Sequence, residues 1–229
     1  MRSIVFDAGP IISLTTNNLL WLLSPLKEKY KGHFHLTNDV KSELVDRPLQ
    51  TKKFKFEALQ VLHCINKGIL ETVDNDQIRE KTDKLLELSN NIFSAFGHNM
   101  QIIHRAEMSA IASSLFFNGD AVVVDERTTR VLIENPKKLL NILRHTLHTS
   151  ISVNQGNLRD FGKLTKGTRM IRSVELVTVA YELGFLDKYL AKIPDSEKTL
   201  LESVLWGVKL NGCAVSRKEI EQILKMEIK

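Results

Sequence analysis

The sequence predicts an α/β fold: a three-layer α/β/α arrangement on a central parallel sheet of about five strands in the order 3-2-1-4-5, with extra helices at the C-terminal end. Three observations carry this. Short apolar runs alternate along the chain with segments of helical periodicity, the pattern of a parallel sheet flanked on both faces. Two of the runs end on acids, Asp7 after Ile4-Val5-Phe6 and Asp125 after Val122-Val123-Val124. And 229 residues at 43% apolar and 26% charged content can bury a sizeable core.

Taken in order, Ile4–Phe6 is the first strand. The Asp7-Ala8-Gly9-Pro10 turn leads into a helix over Ile11–Leu23, which Pro25 should end. His33-Phe34-His35-Leu36 alternates as a short second strand, with both imidazoles on one face. That pair alone is not expected to hold a metal. Thr37-Asn38-Asp39 supplies capping groups for a helix through Val40, Leu44 and Val45, closed by Pro48. Glu57–Asn66 reads as helix with Gly68 as its C-terminal cap, Ile69–Val73 as a third strand, and Asp76–Asn90 as a charged outer helix. Small and apolar residues from His104 to Leu115 predict a helix packed tightly on the sheet. The fourth strand runs from Asp120 to Asp125 and is followed by a helix over Arg127–Ile133.

Beyond Pro136 a helix near Lys137–Leu147 precedes a polar, Gly-containing connection that lasts to Thr168. So long a connection is usually functional or mobile. Thr168–Arg172 is the fifth strand, and Val174–Leu183 a helix ending at Gly184. Helices over Asp195–Lys209 and Ser216–Met226 complete the chain, the last opened by a Ser216/Glu219 capping box. This divides the chain into a domain of residues 1–190, with a long insert at about 134–168, and a helical extension of residues 191–229 packed on it.

No apolar run is long enough to span a bilayer and Met1-Arg2 leads directly into a strand, so a cytoplasmic protein without membrane contact is expected. Cys64 and Cys213 form no zinc or redox spacing and are expected as buried thiols, and Trp21 and Trp206 as core residues. The net charge of +5 is unevenly spread: Pro136–Arg172 holds eight Lys and Arg residues against the single acid Asp160. Clustered cations of this kind suit a polyanion. Around Phe54 and Phe56, Lys52, Lys53 and Lys55 interleave charge with aromatic rings, as single-stranded nucleic-acid clamps do. A loop returning its Phe residues to the core explains the same pattern.

Asp7 and Asp125 at strand ends, with Glu43 and Glu107 near helix starts, are positions this fold can bring together, since sites in open α/β sheets gather beyond the carboxyl ends of the strands. Four carboxylates in one pocket repel unless a cation neutralises them, and oxygen-only ligands favour Mg²⁺ or Mn²⁺. An Asp-nucleophile phosphatase is excluded at Ala8-Gly9, where the required second Asp is absent. No Gly-rich phosphate loop occurs.

These stretches also resemble a known family. Asp7-Ala8-Gly9-Pro10-Ile11-Ile12 is similar to the opening motif of PIN-domain nucleases, Val40-Lys41-Ser42-Glu43-Leu44 to their second, Ala106-Glu107 with Ala110-Ile111-Ala112 to their third, and Val124-Asp125-Glu126-Arg127 to their fourth. Arg169–Asp187 resembles the closing strand and helix. The likeness covers about residues 1–190 and is nearest to the toxin-type, VapC-like members. Ala106 stands where the third motif commonly has Gly, and Ser109 where many relatives carry a further acid. The resemblance implies a metal-dependent endoribonuclease in which Asp7, Glu43, Glu107 and Asp125 hold Mg²⁺ or Mn²⁺ and leave 3′-hydroxyl and 5′-phosphate ends. Lys52, Lys53, Lys55, Arg127, Lys163, Lys166 and Arg169 are the expected contacts to RNA, most simply single-stranded. A homodimer and an antitoxin-like protein partner are further expectations. The competing expectation is a catalytically inactive PIN-like module that binds RNA or protein.

Overall fold

A computed structural model of the chain describes residues 2–228. In chain order its strands are β1 (Ser3–Phe6), β2 (His33–Thr37), β3 (Glu71–Val73), β4 (Phe93–Ala95), β5 (His98–Asn99), β6 (Ala121–Val123), β7 (Ser152–Val153) and β8 (Met170–Ile171). β3-β2-β1-β6-β8 form one all-parallel sheet, so counting its own strands the order is 3-2-1-4-5, as the alternation of strand and helix predicts. β5-β4-β7 form a separate antiparallel sheet.

The first helices are α1 (Ala8–Thr16), α2 (Leu23–Tyr30), α3 (Asn38–Lys41), α4 (Arg47–Leu49) and α5 (Lys55–Asn66). Those of the middle are α6 (Asp76–Asn90), α7 (Arg105–Phe117), α8 (Arg127–Glu134), α9 (Pro136–Leu147) and α10 (Gln155–Leu164). The chain closes with α11 (Ser173–Glu182), α12 (Ser196–Leu210) and α13 (Arg217–Glu227).

Alternation along the strands sorts side chains between the two layers. Ile4, Phe6, Phe34, Leu36 and Val123 enter the core shared with α1, α2, α5 and α11, whereas Val5, Val122 and Val124 meet Ala110 of α7 on the other face. Phe6 and Phe34 pack edge to face at 5.1 Å. Each such fully buried side chain stabilises the fold by roughly 1.5–3 kcal/mol. A second core, with Leu85, Phe93, Ile111, Leu132 and Phe161 at its centre, joins α6 to α10 and the small sheet.

Four local expectations are corrected. The helix expected over Ile11–Leu23 is two: α1 stops where Asn18 turns left-handed at φ +56°, and a 3₁₀ turn at Leu20–Leu22 starts the next. Pro25 does not end a helix but lies in the first turn of α2, where backbone N–H groups have no intrahelical partner to lose. Pro48 likewise sits inside α4, after a π-helical turn over Ser42–Asp46. The connection expected to be irregular between Leu147 and Thr168 contains β7 and the whole of α10, capped by Asn154, whose side chain accepts from the Asn157 N–H at 3.0 Å.

The Ser216/Glu219 capping box is present at the start of α13. Residues 191–228 share the main core through Leu201, Leu205, Val208, Ile220 and Leu224. α12 approaches α1 so closely that a Cβ on Gly207 would stand 2.5 Å from Asn17 Oδ1. Cys64 and Cys213 are both buried as free thiols, and both tryptophans are partly buried against the core.

Candidate metal-binding cleft

Asp7 follows β1 directly, its N–H still donating to Val123 O at 3.0 Å, so its side chain lies at the C-terminal edge of the sheet. It occupies the N-cap of α1 yet makes no side-chain capping bond. Asp125 lies at the same edge beyond β6, and Glu107 is in the first turn of α7, its carboxylate accepting from the His104 N–H at 2.9 Å. Glu43 belongs to the π-helical turn, a distortion that is frequent at functional sites. These four acids and Glu126 line one cleft of about 340 Å³, together with Gly9, Ile12, His104, Asn211 and Gly212. Among the described residues no Lys or Arg lines it.

The electrostatic consequence falls on Asp7, 4% exposed. Burial pushes its carboxyl up to about 7, the N–H groups of Ala8 and Gly9 oppose this, and the charges of Glu107 and Glu43 add to it. Burial also raises Glu107, with Glu126 contributing. Asp125 is raised by burial as well, but it is better held: its oxygens accept from the Ser173 N–H and the Ser173 hydroxyl, each at 2.7 Å. Ser173 opens α11, so the positive end of that helix faces the carboxylate.

The acids ring the cleft without closing on a point. Among the described residues the group of His, Cys, Asp or Glu side chains whose ligand atoms all lie within 4.8 Å of one another is His33, His35 and Glu71, not the acids of the cleft. A space this wide, walled by carboxylates, fits a cation that keeps part of its water, as Mg²⁺ does. Ser109, where a further acid was a possible ligand, serves packing instead: its hydroxyl joins Thr37 Oγ1 at 2.6 Å and Ala106 O at 2.8 Å.

The basic residues divide. Lys52, Lys53 and Lys55 are exposed around Phe54, whose ring lines an apolar recess with Glu43 and Ile12, two residues that also line the acidic cleft. Phe56 is 70% exposed, so this Phe pair does not simply return to the core. Arg127 is exposed at the first turn of α8, two residues beyond Asp125. Arg169 is placed elsewhere. It precedes β8 at the N-terminal edge of the sheet, 3.8 Å from Asp120, and Lys166 lies in the turn before it. Lys163 pairs with Asp160 on the exposed side of α10. In a parallel sheet the two edges are a strand length apart, so Lys166 and Arg169 do not flank the acids.

The chain matches no family model, no curated protein and no solved structure. Sequence patterns missed two contributors to the site, Asn211 and Gly212 of the α12–α13 turn, where Gly212 adopts φ +116°. The Asn-Gly pair was a legible turn signal. Nothing in one sequence tells which turn faces the cleft.

Proposed function

We propose that this protein is a metal-dependent endoribonuclease that hydrolyses RNA phosphodiester bonds in the acidic cleft. The observation that carries the reading is the convergence of Asp7, Glu43, Glu107, Asp125 and Glu126 on one cleft, with no lining Lys or Arg among the described residues, which leaves a buried carboxyl, Asp7, held up to about 7. Asp7, Glu43, Glu107 and Asp125 would hold Mg²⁺ or Mn²⁺, the cations that oxygen donors favour. A bound ion of this type supplies an acidified water and charge to offset that building on the phosphate.

The remaining work belongs to the chain. Lys52, Lys53 and Lys55 offer phosphate contacts beside the cleft, and Phe54 offers a ring face for a base, which favours an unpaired strand. Ser173 fixes Asp125 in one orientation, so this acid enters the site preorganised. Single-stranded RNA incubated with Mn²⁺ is expected to be cleaved, with activity abolished by chelator and by Asp7→Asn. Asp125 also favours a second reading, an inactive module binding RNA or protein, because both of its oxygens are already engaged by Ser173. Intact RNA in Mg²⁺ and in Mn²⁺, with RNA binding retained, selects that second reading.

A further inference from the structure

We propose that His33, His35 and Glu71 form a second metal site, of the zinc class, at the N-terminal edge of the sheet and separate from the acidic cleft. β2 carries the two imidazoles at i and i+2, so both project from one face. The parallel register sets His35 beside Glu71, the first residue of β3. Glu71 Oε2 lies 2.8 Å from His33 Nδ1 and 3.8 Å from His35 Nε2. For metal–ligand bonds of about 2.0–2.1 Å in tetrahedral geometry, neighbouring donors stand roughly 3.3 Å apart, between these two distances.

A hydrogen bond between His33 and Glu71 accounts for part of the arrangement, but not for His35. This ring is 3% exposed and packs against Phe117, centroids 4.5 Å apart with the planes tilted by 43°. Its Nδ1 is buried with no partner, and its Nε2 is too far from Glu71 for a hydrogen bond. Buried imidazoles ordinarily satisfy their polar atoms, so a side chain aimed at a carboxylate it does not reach indicates a missing third party. Lys27 Nζ holds Glu71 Oε1 at 2.5 Å and the Gly68 carbonyl at 2.7 Å, which fixes the carboxylate and leaves Oε2 for the imidazoles. Carboxylates that bind metal are commonly fixed in this way.

Two nitrogens and one oxygen suit Zn²⁺ over Mg²⁺, whose preference is oxygen. His33 and Glu71 are partly exposed, so water can complete the shell. Three protein ligands with an open fourth position is also the pattern of zinc sites that do chemistry. The ion would in addition tie β3, an edge strand of three residues, to β2.

The test is calorimetric titration of the metal-freed full chain with Zn²⁺, in saturating Mg²⁺ so that the acidic cleft is occupied. One Zn²⁺ per chain is expected, with affinity reduced at least tenfold by His33→Ala and by Glu71→Gln and unchanged by Asp7→Asn. Both altered residues are partly exposed, and matching metal-free melting curves will show that the variants fold. Co²⁺ in place of Zn²⁺ should give visible absorption bands that both variants lose. Zinc bound equally by wild type, His33→Ala and Glu71→Gln overturns the proposal. So does the absence of stoichiometric zinc, or a zinc signal that only Asp7→Asn removes.

Discussion

At the N-terminal edge of the sheet, Asp120 accepts a hydrogen bond from Tyr30 at 2.6 Å and faces Arg2 and Arg169, while Glu71 is held by Lys27 and His33. At the C-terminal edge, Asp7 meets the charges of Glu107 and Glu43. The same residue type therefore titrates in opposite directions at the two ends: Asp120 is lowered, first by its hydrogen bond from Tyr30, whereas Asp7 is raised to about 7 by burial. A paired carboxylate such as Asp120 serves the surface. Buried, like-charged ones such as Asp7 persist when function requires them, because selection for stability alone would remove them.

Substituting the acids should separate the two edges most sharply. Asp7→Asn is expected to reduce Mn²⁺-dependent RNA cleavage by more than the roughly 10–100-fold typical of residues that only support a metal ligand. Equal loss from Asp120→Asn, measured in the same assay, would erase the distinction.

The next effect is on stability. Because the Asp7 carboxyl is raised on folding, the folded protein binds more protons than the unfolded chain between about pH 4 and 7. Metal-free stability should then fall across that window as pH rises, by on the order of 2–4 kcal/mol from this group. Asp7→Asn should flatten the fall, and Mn²⁺ should offset it most at high pH. Denaturant melts at pH 5 and pH 8 measure both.

A smaller effect is expected at Arg172, a buried cation that follows β8. It donates to Glu175, Glu219 and the Ala214 carbonyl and so latches α13 to the sheet, leaving no free charge for the cleft. Arg172→Met should destabilise by about 2 kcal/mol, the partly exposed glutamates being rehydrated. Glu219 has the opposite sign from Asp7. Its carboxyl is held down to about 2, burial opposing and the Ser216 and Arg172 hydrogen bonds prevailing, so its contribution is lost only as pH falls toward 2. The smallest change should come from Arg169→Gln, which lies at the far edge. RNA cleavage and the salt dependence of RNA binding should match wild type, whereas neutralising Lys52, Lys53 and Lys55 should flatten that dependence.

The sheet order and the gathering of Asp7, Glu43, Glu107 and Asp125 around one cleft were legible because short apolar runs alternate with helical periods and two of those runs end on acids. The antiparallel sheet was not, because strands of two or three residues such as His98–Asn99 and Ser152–Val153 have no period to detect. α10 did carry a signal in Leu158, Phe161 and Leu164, masked by Gly156 and Gly162. The division of the basic residues was out of reach for another reason. Net charge along a sequence does not say which edge of a sheet a turn returns to, and Arg169 and Arg127 both flank strands. Likewise His33 and His35 were visible as a pair, but Glu71 joins them only through the pairing of β2 with β3.

On this account Asp7 and its neighbours at the C-terminal edge need a divalent cation of the Mg²⁺ class, whereas Asp120 at the N-terminal edge, already held by Tyr30, Arg2 and Arg169, does not. Anomalous diffraction from crystals soaked in Mn²⁺ tests this directly. An ion within the cleft, bound by Asp7 and Glu107 and absent from Asp7→Asn crystals, is the predicted result; a cleft without manganese at saturating concentration would contradict it.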